Sequence, residues 1–439
     1  MTDTNQSQNS QQEIQQSNML IENAVKIRWN IWCGSRQFVK ISIKIRNNNN
    51  EELIYIKNDK ILRQEKILDQ KNNIDLMKNV EQINHLTWRG LFSNFNNKIG
   101  IWTAYWKLQK INVGGYYDQK SQKQGKWIEI FENYCDFADA TYIGQYKNGL
   151  KFGIWETIYK NKIIGLGLYD TQGSKNGAWI DLHDNFYDEC QVTYYGNYKN
   201  GVKQGSWVTK HKGYYGKEYH KIGGGLYNEK GMKIGIWNEI NEIFNDNSQV
   251  TFIGVYNNGK KQQRWITNFY DCEVGGGYYD SNGQKINKWI VLHENFGGGC
   301  EVIYKGFYKF GIKFGIWEIL HRQDVDNQFQ VIGYQMFNEY GVKNGYQTEL
   351  HETFLNDYQI IYVGSYNDGI KSGQWEIKYR ESNTEEFIKI GEGQYDEKGL
   401  KKGIWIDIDD DFHNYNKQMT IGLYISGEKS GQFITKELE

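Results

Sequence analysis

The chain has 439 residues with 52 basic and 53 acidic side chains, so a formal net charge of -1 gives no global field that draws it to nucleic acid or membrane. Its five cysteines, Cys33, Cys135, Cys190, Cys272 and Cys300, are odd in number and form no CxxC pair, which points away from a disulfide framework or a zinc site and towards reduced thiols in the cytosol. There are 48 glycines, 15% aromatics and no proline, where average usage of about 5% would supply roughly 20; a chain that is mostly paired strand suits that absence, because proline cannot donate to a ladder.

Residues 1–18 are rich in Gln, Asn and Ser with almost nothing to bury, and predict a disordered tail with neither the basic segment nor the apolar core of a secretory signal. No stretch approaches the roughly 18 apolar residues of a membrane span, so the expected location is cytoplasmic, or peripheral to a membrane or the cytoskeleton. Residues 19–85 predict a small capping region. Val25, Ile27, Trp29 and Ile31, then Val39, Ile41, Ile43 and Ile45, alternate as two or three strands do, and Asn47 to Asn50 supply a polar turn. Ile67, Ile74, Met77 and Val80 predict one helix within 63–84 that caps the open end of a repeat array.

From residue 86 to 439 one pattern recurs 13 times: an aromatic two residues after a Gly, a turn, then Lys, Gly and Trp at alternate positions. Two classes alternate. In one the aromatic and the Trp stand nine apart, as in Tyr146/Trp155, Tyr198/Trp207, Tyr256/Trp265 and Tyr308/Trp317; in the other they stand ten apart, as in Tyr169/Trp179, Tyr227/Trp237 and Tyr279/Trp289. The first class predicts a two-residue Asn-Gly turn, the second a three-residue loop with a left-handed Gly. Both pair the aromatic with the Lys, Tyr146 with Lys151 and Tyr169 with Lys175. Continued regularly, the ladder would set Gly144 against Gly153, Gly167 against Gly177 and Tyr142 against Trp155. The unit at Gln335 and Gln347, which lacks both Gly and Trp, is expected to be the weakest hairpin.

These units resemble MORN repeats, whose aromatic-x-Gly-x-aromatic, Asn-Gly and second Gly are met by Tyr194, Gly196, Tyr198, Asn200, Gly201 and Gly205, with Trp207 in a Gly-x-Trp variant of the repeat. The resemblance implies a mainly β fold: an elongated, single-layer antiparallel meander of about 13 hairpins, used as a scaffold or for docking to partners or membrane surfaces.

No motif for chemistry stands out, and neither a catalytic residue, a metal site, a cofactor nor a small-molecule substrate is expected. His183, His293 and His351 share a Leu-His-[Asp/Glu]-x-Phe context, but one His per unit reads as a solvated connector. Gly223 to Gly225 and Gly275 to Gly277 read as strand, since neither a phosphate-loop motif nor a helix comes after them. The acidic run Asp407, Asp409, Asp410 and Asp411 lacks the remaining parts of a calcium loop.

The strongest candidate is a stripe of lysines at one place in every unit: Lys98, Lys123, Lys151, Lys175, Lys203, Lys233, Lys261, Lys285, Lys313, Lys343, Lys371, Lys401 and Lys429. Their stems would cover the aromatic rings while their ammonium groups stay wet, charged and open to an anionic partner. The expected function is a non-enzymatic scaffold that docks a protein partner, or an anionic membrane surface, on this aromatic and Lys-lined face. A carbohydrate-binding module using exposed Tyr and Trp is the alternative.

Overall fold

The computed structural model describes residues 19–30, 35–48, 52–57, 60–66, 76–297, 299–324, 326–351, 354–381, 386–409, 412 and 416–438; the expected tail at 1–18 lies outside them. Two compact units divide the chain, the first Met1–Met232 with Glu242–Asp246, the second Lys233–Asn241 with Asn247–Glu439.

The first unit opens with an antiparallel sheet of β1 (Met19–Asn30), β2 (Ser35–Asn48), β3 (Glu52–Lys57) and β4 (Lys60–Lys66) in that order. Asn47 and Asn48 pair with Leu53 and Glu52, so the ladder runs through part of the expected turn, and residues 49–51 lie outside the described set. The expected helix over 63–84 is corrected: residues 60–66 are strand, 67–75 are not described, and helix α1 spans only Val80–His85. Asn79 fixes its start, its Oδ1 accepting from the Glu81 and Gln82 backbone N–H groups, and Leu86 ends it in extended backbone. Val80 and Ile83 pack on Ile43, Ile45, Leu53 and Tyr55, so α1 covers the small sheet.

Strands then succeed one another. In the first unit they run from β5 (Leu86–Phe92) to β15 (His220–Tyr227); in the second, from β16 (Lys233–Ile240) to β30 (Glu428–Glu437); the described chain between Leu86 and Glu437 holds no helix. Gly223 to Gly225 and Gly275 to Gly277 lie in strands, as expected. The turns also match. Asn148 and Gly149 have φ of 50° and 78°, the left-handed pair of a type I′ turn. In the longer loop Asp170 Oδ1 accepts from the backbone N–H groups of Gln172 and Ser174, and Gly173 takes φ of 77°. Tyr146 pairs with Lys151, and Tyr169 with Lys175.

Beyond the turns the register departs from expectation. Between β9 (Thr141–Lys147) and β10 (Leu150–Tyr159), Gln145 faces Phe152 but Ile143 faces Glu156, so Gly153, Ile154 and Trp155 together oppose Gly144. Tyr142 consequently faces Thr157, not Trp155, and Gly144 does not face Gly153. This bulge adds an even number of residues and leaves the faces of the strand unchanged. Gly153 makes the bend at φ 72°. The Trp155 ring then falls on Gly144, where an added Cβ would stand 2.2 Å from it. Its indole N–H donates to the Gln145 carbonyl at 3.3 Å. The same ring-on-glycine seat recurs at Trp179 on Gly167 and Trp207 on Gly196 in the first unit, and at Trp265 on Gly254, Trp289 on Gly277 and Trp317 on Gly306 in the second.

The connectors, expected to be solvated, are buried. After the ten-spaced hairpins that end at Trp127, Trp179 and Trp289 the chain turns back and inserts a Phe: Phe131 and Phe186 join Ala140, Tyr159 and Leu182 in the first unit, while Phe296 joins Val250, Phe269 and Ile303 in the second. These rings add apolar area that the Gly and Lys positions of the strands do not supply. In the second unit the ladder is nearly lost between β23 (Gln330–Phe337) and β24 (Gly345–Leu350); one isolated bridge, Phe337 with Lys343, remains just ahead of β24. This is the hairpin with Gln335 and Gln347. Buried Gln347 replaces the indole, its Nε2 donating to the Met336 carbonyl at 2.7 Å and its Oε1 accepting from Met336 N at 3.3 Å.

Candidate functional site

The lysine stripe is present, and each ammonium is held by rings of its own face. Because Lys and Trp are four residues apart in one strand, both point the same way, and Lys203 Nζ lies 4.2 Å from the Trp207 ring against 5.9 Å from the cross-strand Tyr198. Lys151 stands 4.2 Å from Trp155, Lys175 4.4 Å from Trp179, Lys233 4.6 Å from Trp237 and Lys261 3.9 Å from Trp265. The partner ring is thus the Trp more than the facing Tyr. The aromatics interlock edge to face, as Tyr169 with Trp179 and Tyr198 with Trp207 do in the first unit and Tyr256 with Trp265, Tyr279 with Trp289 and Tyr308 with Trp317 in the second. Tyr227 packs on Trp207. The Trp rings are buried, which leaves them no free face for a flat ligand.

Acidic side chains run through the stripe, contrary to the expectation of freely available ammonium groups. Glu129 joins Lys123 and Lys151, at 2.9 Å from the latter, and accepts from the Tyr146 hydroxyl at 2.8 Å. Asp181 lies 2.6 Å from Lys175 and 4.0 Å from Lys203, with the Tyr198 hydroxyl at 2.7 Å. In the second unit Glu239 joins Lys233 and Lys261 and accepts from Tyr256; Glu349 does the same for Lys343, Lys371 and Tyr366; Asp407 holds Lys401. Burial pushes the Glu129 carboxyl up, but Lys123 and Lys151 outweigh it and hold it below the usual range. Glu349 shows the same contest, won by Lys343 and Lys371, and is brought down to about 2.

Each acid stands six residues after the Lys of a ten-spaced hairpin, and all but Asp407 bind that Lys together with the Lys of the next, nine-spaced hairpin. Two hairpins therefore form a couplet sharing one carboxylate. A backbone bond closes the couplet, as Gly149 N–H donates to the Lys123 carbonyl at 3.0 Å and Gly201 N–H to that of Lys175 at 2.8 Å. Comparing the ten-spaced hairpins in sequence, Lys-x5-[Glu/Asp], would have exposed these acids. The couplet of Lys285 and Lys313 differs, with Val291 at the acidic position.

The histidines are not solvated. Buried His183 meets the Tyr194 hydroxyl through Nδ1 at 2.9 Å, and burial lowers its pKa; His293 is lowered for the same reason and its Nδ1 accepts from Asn295 N. His183, His293 and His351 each accept, through the backbone carbonyl, from the buried Phe three residues on, and so fold the connector. Cys190 and Cys300 are buried free thiols, each bridged in a tight turn. Among the described residues no three His, Cys, Asp or Glu are grouped to hold a metal, and no helix is long and apolar enough to cross a membrane.

On the opposite face the bulge sends the residue before each Trp outward. Ile154 is 65% exposed beside its cross-strand neighbour Leu168 at 44%, and in the second unit Ile404 is 70% exposed beside Leu423 at 41%. No protein-family model matches the chain, and no curated protein matches its sequence.

Proposed function

We propose that the protein is a non-enzymatic, MORN-like repeat scaffold of the cytoplasm that docks a protein partner. The observation supporting this most is the recurrence, in several units, of exposed apolar pairs such as Ile154 with Leu168 and Ile404 with Leu423 on the face away from the tryptophans. Rows of exposed apolar side chains in a soluble sheet mark interaction surfaces. The lysine face contributes less attraction than a stripe of bare charges would, because Glu129, Asp181, Glu239, Glu349 and Asp407 offset most of its lysines. Docking to an anionic membrane is weakened on the same ground.

The test is quantitative pull-down from the source cell with three proteins: wild type, Ile154→Asp with Leu168→Asp, and Lys203, Lys233, Lys261 and Lys285 all changed to Gln. Partners lost in the Asp variant and kept in the Gln variant are the expected outcome. Salt-sensitive capture lost only in the Gln variant returns the function to the lysine face, and a set unchanged in both overturns docking by either face.

A further inference from the structure

We infer that Lys285, Lys313 and Tyr308 form a binding site for a small oxyanion, a carboxylate or phosphate group supplied from outside the chain. The couplets supply the comparison. In two couplets of the second unit, at Lys233 and Lys261 and at Lys343 and Lys371, a carboxylate lies between the lysines and a Tyr hydroxyl donates to it; at Lys401 and Lys429 the carboxylate of Asp407 is present and holds Lys401. At Lys285 and Lys313 the donors stand in the same places. Lys285 Nζ is 4.6 Å from Trp289, as Lys233 Nζ is from Trp237, and 5.0 Å from Tyr308, against 5.3 Å between Lys233 and Tyr256. Lys313 Nζ is 4.5 Å from Trp317 and 5.2 Å from Phe337.

The acceptor is what differs. Val291 occupies the position of Glu239 and Glu349 and brings no oxygen, and among the described residues neither lysine makes an ion pair and the Tyr308 hydroxyl has no hydrogen-bond partner. The rings hold the ammonium groups in place at no further ordering cost, so two cations and a phenol converge on a place that takes an oxyanion in the neighbouring couplets. The charges are uncomfortable without one. Burial, with Lys285 and Lys343 nearby, draws the Lys313 pKa down to about 8, and burial with Lys261 nearby lowers that of Lys285. Lys98 and Lys429 also lie outside the ion pairs, but Lys98 precedes the first couplet and Lys429 shares its couplet with Lys401, which already holds the internal carboxylate of Asp407. The site stands whether or not a partner docks on the apolar face.

The experiment titrates the full chain with sodium phosphate at constant ionic strength against sodium chloride, following heat and thermal midpoint, with a tetraglutamate peptide as a second arm. Wild type is expected to bind one phosphate saturably and to melt higher in phosphate than in chloride. Val291→Glu, which restores the internal carboxylate, should weaken binding at least about tenfold, as should Lys285→Met, which keeps the stem but removes the charge. Glu239→Val should create a second site and raise the stoichiometry to two. Saturation by the peptide alone, lost in Val291→Glu, assigns the oxyanion to a partner's side chain; saturation by phosphate assigns it to a free ion. Absence of saturable binding in both arms, or undiminished binding by Val291→Glu and Lys285→Met, overturns the site. If Val291→Glu fails to fold, Lys285→Met and Glu239→Val decide.

Discussion

Two hairpins of the second unit carry the same turn and the same lysine, yet one closes on Trp405 and the other on Gln347. In the first, Trp405 covers Gly393 and its indole donates to the Gln394 carbonyl at 3.1 Å. In the second, Gln335 stands where the glycine would be, and Gln347 donates to the equivalent carbonyl of Met336 at 2.7 Å. Both place a planar N–H donor against the carbonyl after the glycine position; the ring and its glycine seat are the variable part. The ladder records the difference, since Trp405 sits in strands paired over several residues while Gln347 comes after a single bridge.

The largest break in this comparison should come from Gly393→Ala, because its Cβ would lie 2.0 Å from the Trp405 ring on a buried face. A loss of about 3 kcal/mol in chemical denaturation is expected, against little change for Gln335→Ala at the same repeat position. Gln347→Ala comes next at about 2 kcal/mol, since it opens a buried space and removes both side-chain hydrogen bonds to the Met336 backbone. Gln347→Trp alone should also destabilise, and adding Gln335→Gly should recover most of the loss, a coupling that a double-mutant cycle measures directly. Amide exchange should be faster at 335–347 than at 393–405.

Acid sharpens the comparison further. The Glu349 carboxyl falls to about 2 from an ordinary 4.5, so its contribution is fully present above pH 4.5 and is lost as pH falls through that window towards 2. Glu349→Gln should flatten the acid limb of the thermal midpoint against pH. Lys313 gives the same slope in an alkaline window: its pKa is depressed from 10.5 to about 8, so the unfolded chain binds the extra proton between these values and stability rises with pH there as well. Val291→Glu should abolish that alkaline gain. The smallest effect expected is a stabilisation of about 1 kcal/mol from Gln263→Gly, because Gln263 holds the bulge at φ 62°, where its siblings have glycine.

The turns were legible because their signals are local: Asn148-Gly149 and Asp170 to Gly173 specify their own backbone, and each sets the Tyr–Lys pair beside it. The bulge was not, because nothing in Gly153 alone shows that Trp155 must swing onto Gly144; that is a cross-strand packing demand. For the same reason the facing glycines were misplaced while their role, a bare seat under a ring, was legible. The lysine stripe was visible, but its neutralisation by Glu129 or Glu239 required reading two hairpins together. Phe186 and Phe296 looked like parts of polar connectors because their neighbours His183 and Glu294 are polar; only burial distinguishes them.

The couplet also sets how this chain can change length. Gly259 N–H donates to the Lys233 carbonyl and Gly369 N–H to that of Lys343, both at 2.9 Å, so a ten-spaced hairpin leans on the nine-spaced one after it and shares its carboxylate. A duplication or deletion of one hairpin strands a carbonyl and unbalances a charge, whereas a whole couplet carries its own seam and, except where Val291 stands, its own counter-ion. The heritable module is therefore the pair. The couplet with Val291 in place of the acid carries no counter-ion of its own, and its two cations feel the cations of the couplets on either side, Lys313 that of Lys343 and Lys285 that of Lys261.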